Sequence, residues 1–260
     1  CGMPYYLGDV IQERDHLFAA TPQSMKEKLN INVRTFNEVL SIDRKQKSIT
    51  VKDVRSNEEY QEHYDTLVLA PGAAPFIPPI QGLEQSNYFV LRNIEDMDTI
   101  KQFLEKEKPS TCSIIGGGFI GVEMAENLAG LGLNVNLVEA SPHLMGVLDE
   151  DMSELIEEEL KEQGINVVLN DGVQEVEGSG TLLTQKGTEL HSDFIIVATG
   201  VKPQIHLAEK AGLSIGKTGG IQTNEFMQTS DESIYAVGDA VETKSAITGN
   251  QLRKIGRAHV

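Results

Sequence analysis

The sequence predicts an α/β fold made of two similar modules, each combining a parallel sheet with an inserted β-meander, and the first module is incomplete. Three observations support this prediction: an internal repeat, a glycine-rich loop between a strand and a helix, and segments of alternating hydropathy. The chain has 260 residues, which is enough to bury two hydrophobic cores, so two domains are expected.

The repeat consists of "YDTLVLAPGAAP" at residues 64–75 and "SDFIIVATGVKP" at residues 192–203. The matched residues are Asp65/Asp193, Ala70/Ala198, Gly72/Gly200 and Pro75/Pro203. Each copy carries a short apolar run between aspartate and alanine, which is typical of a buried parallel strand. The regions ahead of the two copies, "VLSIDRKQKSITVKD" and "VQEVEGSGTLLTQKG", alternate in hydropathy and predict hairpins.

The glycine-rich loop lies in "CSIIGGGFIGVEMAENLAGLGLNVNLVE". An apolar strand is predicted from Cys112 to Ile115, a helix to about Leu131, and a second strand from Val135 to Glu139. Three glycines in a strand–turn–helix context, with an acid about 20 residues on, indicate a Rossmann-like dinucleotide site. Both modules are therefore predicted to be Rossmann-like, although a glycine turn that serves only packing is the alternative.

Each residue of this loop has an expected role. Gly116 permits the tight turn, Gly118 lets the backbone approach the phosphates, and Gly121 lets helix and strand pack closely. Glu139 is expected to accept hydrogen bonds from the adenosine ribose hydroxyls. The following "ASPHLM" has no Arg or Lys to pair with a 2′-phosphate, so NADH is favoured over NADPH, although His143 weakens this preference.

Composition excludes several classes of protein. A net charge of −17 argues against a nucleic-acid partner, which needs a basic surface. No apolar run approaches the roughly 18 residues of a membrane span, so no membrane partner is expected. The two cysteines, Cys1 and Cys112, are far apart, which suits a reducing cytoplasm rather than a disulfide framework. No metal site is expected.

Both ends of the chain are unusual. Gly118 precedes Ala198 by 80 residues, and the same spacing from Ala70 places the first module's glycine loop upstream of Cys1. We therefore expect that the chain is truncated at its start. Ile255 to Val260 look like a translated fragment of a sequencing adapter and are left out of the fold prediction.

Three motifs carry a family resemblance: "LAPGAAP", "GGGFIGVE" and "TSDESIYAVGDA". With them, the chain resembles the FAD-dependent pyridine nucleotide–disulfide oxidoreductases from Cys1 to about Gln251. Within that family, "CGMPYYLGDVI", "RDHL" and "TPQSMKEKLNINV" look most like coenzyme A-disulfide reductases and their persulfide-reducing relatives. The resemblance implies FAD and NADH as cofactors, with NADPH possible, and a small disulfide or persulfide as substrate.

The resemblance also implies domains and site residues. Residues 1–85 would be the remainder of an FAD-binding domain with the active-site cysteine, 86–228 an NAD(P)H-binding domain, and 229–254 a return to the FAD domain, with 255–260 the adapter artefact. Glu123 would hold the nicotinamide amide, and Asp239, after Gly238, the flavin ribityl chain. The remaining implied cofactor contacts are Phe119 and Ile120 in the glycine loop, and Ala70, Gly72 and Gly200 at the ends of the repeated strands.

Cys1 is the predicted catalytic residue. Two-cysteine disulfide reductases carry CxxxxC, and here Tyr6 stands at the second position. If Cys1 works alone, it must cycle through a mixed disulfide, as with coenzyme A, or through a sulfenic acid. Its thiolate would be the nucleophile. The nearby cations Arg14, Lys26 and Lys28 are candidates for binding coenzyme A phosphates.

Two alternative functions stay open. One is an NADH oxidase or peroxidase that uses a Cys1 sulfenic acid, and the other is a non-catalytic redox sensor that binds NADH without turnover. The resemblance further implies that the full-length protein is a homodimer, formed through a C-terminal domain that this chain lacks.

Overall fold

The structure, a computed structural model, describes residues 2–178, 180–244 and 249–253. Contacts between α-carbons divide the chain into two compact units. Of the described residues, those in 2–19 and 75–200 form unit 1, and those in 20–74 and 201–253 form unit 2. The predicted catalytic residue Cys1 and the predicted artefact Ile255–Val260 lie outside the described residues.

The α-helices of the described residues are α1 (Met3–Leu7), α2 (Pro22–Leu29), α3 (Ile94–Glu107), α4 (Phe119–Gly130), α5 (Glu150–Glu162) and α6 (His206–Lys210). Short 3₁₀ helices cover Arg14–Leu17, Leu83–Gln85 and Gly238–Ala240. None of these helices is both long and apolar enough to cross a membrane.

The strands are β1 (Asn37–Asp43), β2 (Ser48–Asp53), β3 (Glu59–His63), β4 (Leu67–Leu69), β5 (Ala73–Pro75), β6 (Tyr88–Phe89), β7 (Thr111–Ile115), β8 (Asn134–Val138), β9 (Asn166–Val168), β10 (Val173–Glu177), β11 (Thr181–Thr184), β12 (Glu189–His191), β13 (Phe194–Val197), β14 (Val201–Pro203), β15 (Ile221–Gln222), β16 (Ile234–Ala236), β17 (Val241–Lys244) and β18 (Gln251–Arg253).

Unit 1 is organised around a five-stranded parallel sheet of order β6–β13–β7–β8–β9. Helix α4 connects β7 to β8, as the glycine-loop pattern predicts, and the predicted boundaries agree with the observed ones to within a residue. The core on one face of this sheet contains Phe194, whose ring lies against Phe89 and Phe103. The predicted α/β fold with a parallel sheet is therefore confirmed.

Each unit also carries an antiparallel meander. In unit 2 this is β1–β2–β3, and in unit 1 it is β10–β11–β12. The two segments of alternating hydropathy form the first two strands of these meanders, so the predicted hairpins are confirmed. Unit 2 further contains the pairs β4–β16 and β5–β14 and the small sheet β15–β17–β18.

The two repeated strands, β4 and β13, pair in the same register but differ in burial. Leu67 of β4 faces Ile234, just as Ile195 of β13 faces Tyr88. However, β13 has β7 as a second neighbour, whereas among the described residues β4 has only β16. The prediction of a buried strand is wrong for β4 within the described residues, because Val68 is 56% exposed there and only Leu69 is buried.

Asp193, one of the repeated aspartates, fixes the start of β7. Its carboxylate accepts hydrogen bonds from the backbone N–H groups of Ser110 and Thr111, at 2.7 and 3.0 Å. These donors stabilise the charged form and hold the pKa of Asp193 below its usual value. The strand that leads into the glycine loop is thus anchored at its first residue.

The residues after Cys1 pack within unit 1. Leu7 is fully buried, and α1 lies against α3 and α4. In the compact units, residues 2–19 group with 75–200 rather than with 20–74. The assignment of FAD-binding and NAD(P)H-binding domains to particular residues stays a prediction.

Candidate functional site

The glycine loop begins where β7 ends. Gly116 has a φ of +110°, a conformation that other residues rarely adopt. A Cβ at this position would lie 2.5 Å from the Ala198 carbonyl oxygen. Because β7 and β13 are adjacent and parallel, their carboxyl ends meet at one edge of the sheet, which brings the loop beside Ala198 and Gly200.

The other two glycines of the loop play different parts. A Cβ on Gly121 would lie 1.9 Å from the Gly116 carbonyl oxygen, so helix α4 can contact the loop only through glycine. A Cβ on Gly118 would have no atom within 4 Å. Gly118 is the N-cap of the 12-residue helix α4, so this open space lies where a helix N-terminus attracts phosphate. The loop therefore fits a dinucleotide pyrophosphate.

Phe119 and Ile120 lie in the first turn of α4 and are 56% and 39% exposed. Glu123 follows on the same helix and is partly buried, and its backbone carbonyl accepts a hydrogen bond from the Asn127 side chain at 2.7 Å. These three predicted contacts thus lie on the helix that begins at the open space.

Glu139 lies directly after β8 and forms a hydrogen bond with the glycine loop. Its Oε2 accepts a hydrogen bond from the N–H of Gly117, and its Oε1 accepts one from the N–H of Ser141, both at 2.7 Å. The sequence had indicated the acid but not these two backbone donors. Each carboxylate oxygen has a further lone pair, so Glu139 keeps the capacity to accept ribose hydroxyls.

The segment that follows Glu139 contains no Lys or Arg before Lys161. The ring Nε2 of His143 lies 3.4 Å from the Glu150 carboxylate. His143 therefore already has an acidic neighbour, which weakens it as a ligand for a 2′-phosphate.

The candidate flavin contacts of unit 2 also share one edge. Ala70 and Gly72 follow β4, and Gly238 and Asp239 follow its parallel partner β16. The N–H of Val237 donates to the Leu69 carbonyl at 2.9 Å, which continues the pairing up to Gly238. No α-helix of the described residues begins directly after either strand, so this edge lacks the phosphate site that α4 supplies in unit 1.

The other candidate residues are placed as follows. Tyr6, at the position of a second cysteine, lies on α1 with its ring centroid 5.6 Å from the Lys101 ammonium. Cys112 is fully buried in β7, and burial raises the pKa of its thiol, which makes it an inert packing residue. Arg14 is bound by both carboxylate oxygens of Asp98, and Lys26 donates to Asn30, so both of these candidate phosphate ligands already have partners.

A protein-family model matches residues 2–259, and its description is "Pyridine nucleotide-disulphide oxidoreductase". The chain belongs to this family. The predicted family is thereby confirmed, and so is the prediction of a fold with Rossmann-like modules. The family is FAD-dependent and uses nicotinamide nucleotides, which confirms the predicted class of cofactors.

Individual relatives in this family carry different names. An "NADH oxidase" of Methanocaldococcus jannaschii is 39% identical over the whole chain and 58% of its own length. A "Coenzyme A disulfide reductase" of Staphylococcus haemolyticus is 34% identical over 93% of the chain and 54% of its own length. The structure of reduced Bacillus anthracis CoADR-RHD matches with a TM-score of 0.95 and 42% identity, over 97% of the chain and 46% of that protein. The chain therefore spans about half the length of the relatives it matches.

Proposed function

We propose that the full-length protein is a flavoprotein oxidoreductase that passes electrons from NADH through FAD to Cys1, which reduces coenzyme A disulfide or a related persulfide. The observation that carries this proposal is the glycine loop, because its open space at Gly118 and its acid at Glu139 match a dinucleotide. A coenzyme A disulfide reductase among the relatives supports the choice of substrate. We also propose that the full-length protein works in the reducing cytoplasm and forms a homodimer.

The residues have distinct parts in this reaction. The N-terminus of α4 and Gly118 would hold the NADH pyrophosphate, Glu139 the ribose hydroxyls, and Glu123 the nicotinamide amide. Asp239 would position bound FAD, which supplies the means to take hydride from NADH and to release electrons to sulfur. The Cys1 thiolate attacks the disulfide, which forms a mixed disulfide on Cys1 and releases one thiol. Two electrons that originate from NADH would then cleave this mixed disulfide, release the second thiol and restore the thiolate. Overall, NADH and one proton convert one disulfide into two thiols.

The experiment is a comparison of electron acceptors for the purified full-length protein. The protein should contain bound flavin and oxidise NADH faster with coenzyme A disulfide than with oxygen or hydrogen peroxide. Faster turnover with peroxide or oxygen would replace the proposal with the oxidase or peroxidase alternative. Tight NADH binding without bound flavin and without turnover would indicate the redox sensor.

The NADH oxidase alternative has one specific observation in its favour, the identity of 39% to a relative with that name. In this case Cys1 would cycle through a sulfenic acid, which dimedone traps. Mass spectrometry of the denatured, non-reduced protein separates the two functions. A coenzyme A adduct on Cys1 supports disulfide reduction, and a dimedone adduct supports the oxidase.

We expect the full-length enzyme to prefer NADH over NADPH by about tenfold or more in kcat/KM, since lost ribose hydrogen bonds cost roughly 1–3 kcal/mol. The Glu139→Gln variant keeps the size of the side chain but removes the charge that repels a 2′-phosphate. Its ratio of kcat/KM for NADH to kcat/KM for NADPH should therefore be smaller than that of the unaltered enzyme. Steady-state kinetics with both nucleotides measures the two ratios. Equal or better kcat/KM of the unaltered enzyme with NADPH would contradict the prediction.

Residues 1–254 expressed alone should bind NADH but bind FAD poorly. Unit 1 contains its glycine loop, whereas the edge formed by β4 and β16 has no such loop among the described residues. Absorbance of the purified fragment measures bound flavin, and titration measures NADH. Purification with one equivalent of flavin would show that the upstream loop is not needed.

A further inference from the structure

Two ion pairs attach the segment after Cys1 to helix α3. The Lys101 ammonium donates to the Asp9 carboxylate at 2.6 Å and to the backbone carbonyl of Leu7 at 3.3 Å. The Arg14 guanidinium donates to both carboxylate oxygens of Asp98, at 3.0 and 2.7 Å. We call residues 2–17 the N-terminal segment, and α3 thus holds it at two points one helical turn apart.

Lys101 is the less exposed of the two cations, although its partner Asp9 is 65% exposed. The Lys101 side chain is only 17% exposed. Its ammonium reaches the carbonyl of Leu7, the last residue of α1, which has no donor within the helix. Asp9 follows with a φ of +59°, a conformation that costs energy in residues other than glycine and is best tolerated by Asp and Asn. Lys101 therefore stabilises both the end of α1 and the strained residue after it.

The start of the N-terminal segment also packs against its later residues. A Cβ on Gly2 would lie 2.7 Å from Cδ2 of Leu17 and 3.1 Å from Cδ1 of Ile11, so the start of the segment packs against its end. The buried side chain of Leu7 anchors its middle in the core of unit 1. Fixing Asp9 and Arg14 therefore also restrains Gly2, the residue that adjoins Cys1 in the sequence.

We propose that Lys101 is a positioning residue for Cys1: its ties to Asp9 and Leu7 keep the N-terminal segment closed while the cysteine reduces its substrate. The ion pair between Asp98 and Arg14 is the second attachment of the N-terminal segment to α3. The inference rests on the proposed role of Cys1. Because partly exposed ion pairs add little to global stability, their loss should open this segment locally rather than unfold the unit.

The test uses the full-length, flavin-loaded protein with Lys101→Met, which removes the ammonium but keeps the alkyl stem. Hydrogen exchange of peptides from residues 2–17 should quicken by about tenfold, and disulfide turnover should fall by a similar factor. Flavin reduction by NADH should stay within about twofold of the unaltered protein, because hydride transfer does not use the thiol. Lys101→Arg should restore exchange and turnover.

The matched control is Lys106→Met on the same helix, whose exposed ammonium pairs with the adjacent Glu107. This variant should behave as the unaltered protein in all three measurements. If Lys101→Met does not fold, Asp9→Asn removes the same ion pair, and Asn tolerates the positive φ at this position.

Unchanged exchange in residues 2–17, or equal losses in turnover and flavin reduction, would overturn the proposal. A failure of the proposed function is distinguishable, because it would appear as full turnover in Cys1→Ser. The exchange measurement does not depend on activity and still reports whether Lys101 closes the segment.

Discussion

Disulfide reduction should be lost in a Cys1→Ser variant of the full-length protein, while NADH still reduces its flavin. Serine keeps the size of the side chain but provides no thiolate, so turnover with coenzyme A disulfide should fall by roughly three orders of magnitude or more. Steady-state turnover and rapid-mixing measurements of flavin reduction separate the two half-reactions.

The matched control for this variant is Cys112→Ala. Cys112 is the other cysteine of the chain, and it is fully buried in β7 with a raised thiol pKa. Its removal should leave turnover intact. If Cys1→Ser retains full turnover, Cys1 is a structural residue and the proposed mechanism is wrong.

NADH binding should be weakened selectively in Gly118→Ala. The backbone at Gly118 has a φ of −80°, which alanine adopts freely, and its Cβ would have no atom within 4 Å. The free energy of unfolding should therefore change by less than about 0.5 kcal/mol. The same Cβ would occupy the space proposed for the pyrophosphate, so the dissociation constant of NADH should rise about tenfold or more.

Gly121→Ala is the contrasting variant. Its Cβ would lie 1.9 Å from the Gly116 carbonyl oxygen, so the loop must move, at a cost of about 1–3 kcal/mol in stability. Thermal unfolding and NADH titration of both variants measure the two effects. NADH binding by Gly118→Ala as tight as in the unaltered protein would argue against a pyrophosphate at this position.

The features that could be predicted from the sequence are encoded by neighbouring residues. The glycine loop follows its strand and precedes its helix directly, so β7, α4 and β8 appear within a residue of their predicted bounds. The two meanders follow equally local alternation in hydropathy. The contact of Glu139 with the glycine loop lies within the same βαβ unit, where the distance along the chain from the loop to the acid is set by the motif, so Glu139 could be named from sequence as a candidate.

The features that could not be predicted depend on residues far apart in the sequence. Lys101 and Asp9 are 92 positions apart, and nothing in either local pattern indicates their ion pair. The exposure of Val68 depends on what covers that face of β4, a property that its apolar run does not encode. The grouping of residues 2–19 with unit 1 likewise arises from the burial of Leu7 among distant side chains.

The pairing of β4 with β16 has a consequence for biosynthesis. Leu67 leaves the ribosome long before its partner Ile234, and most of unit 1 is translated between them. Because domains begin to fold as they emerge, unit 1 can complete its parallel sheet once β13 has been made, before β16 exists to pair with β4. The nascent chain should thus fold the unit that contains the glycine loop first, and the β4–β16 pair should form only after translation passes Ala236.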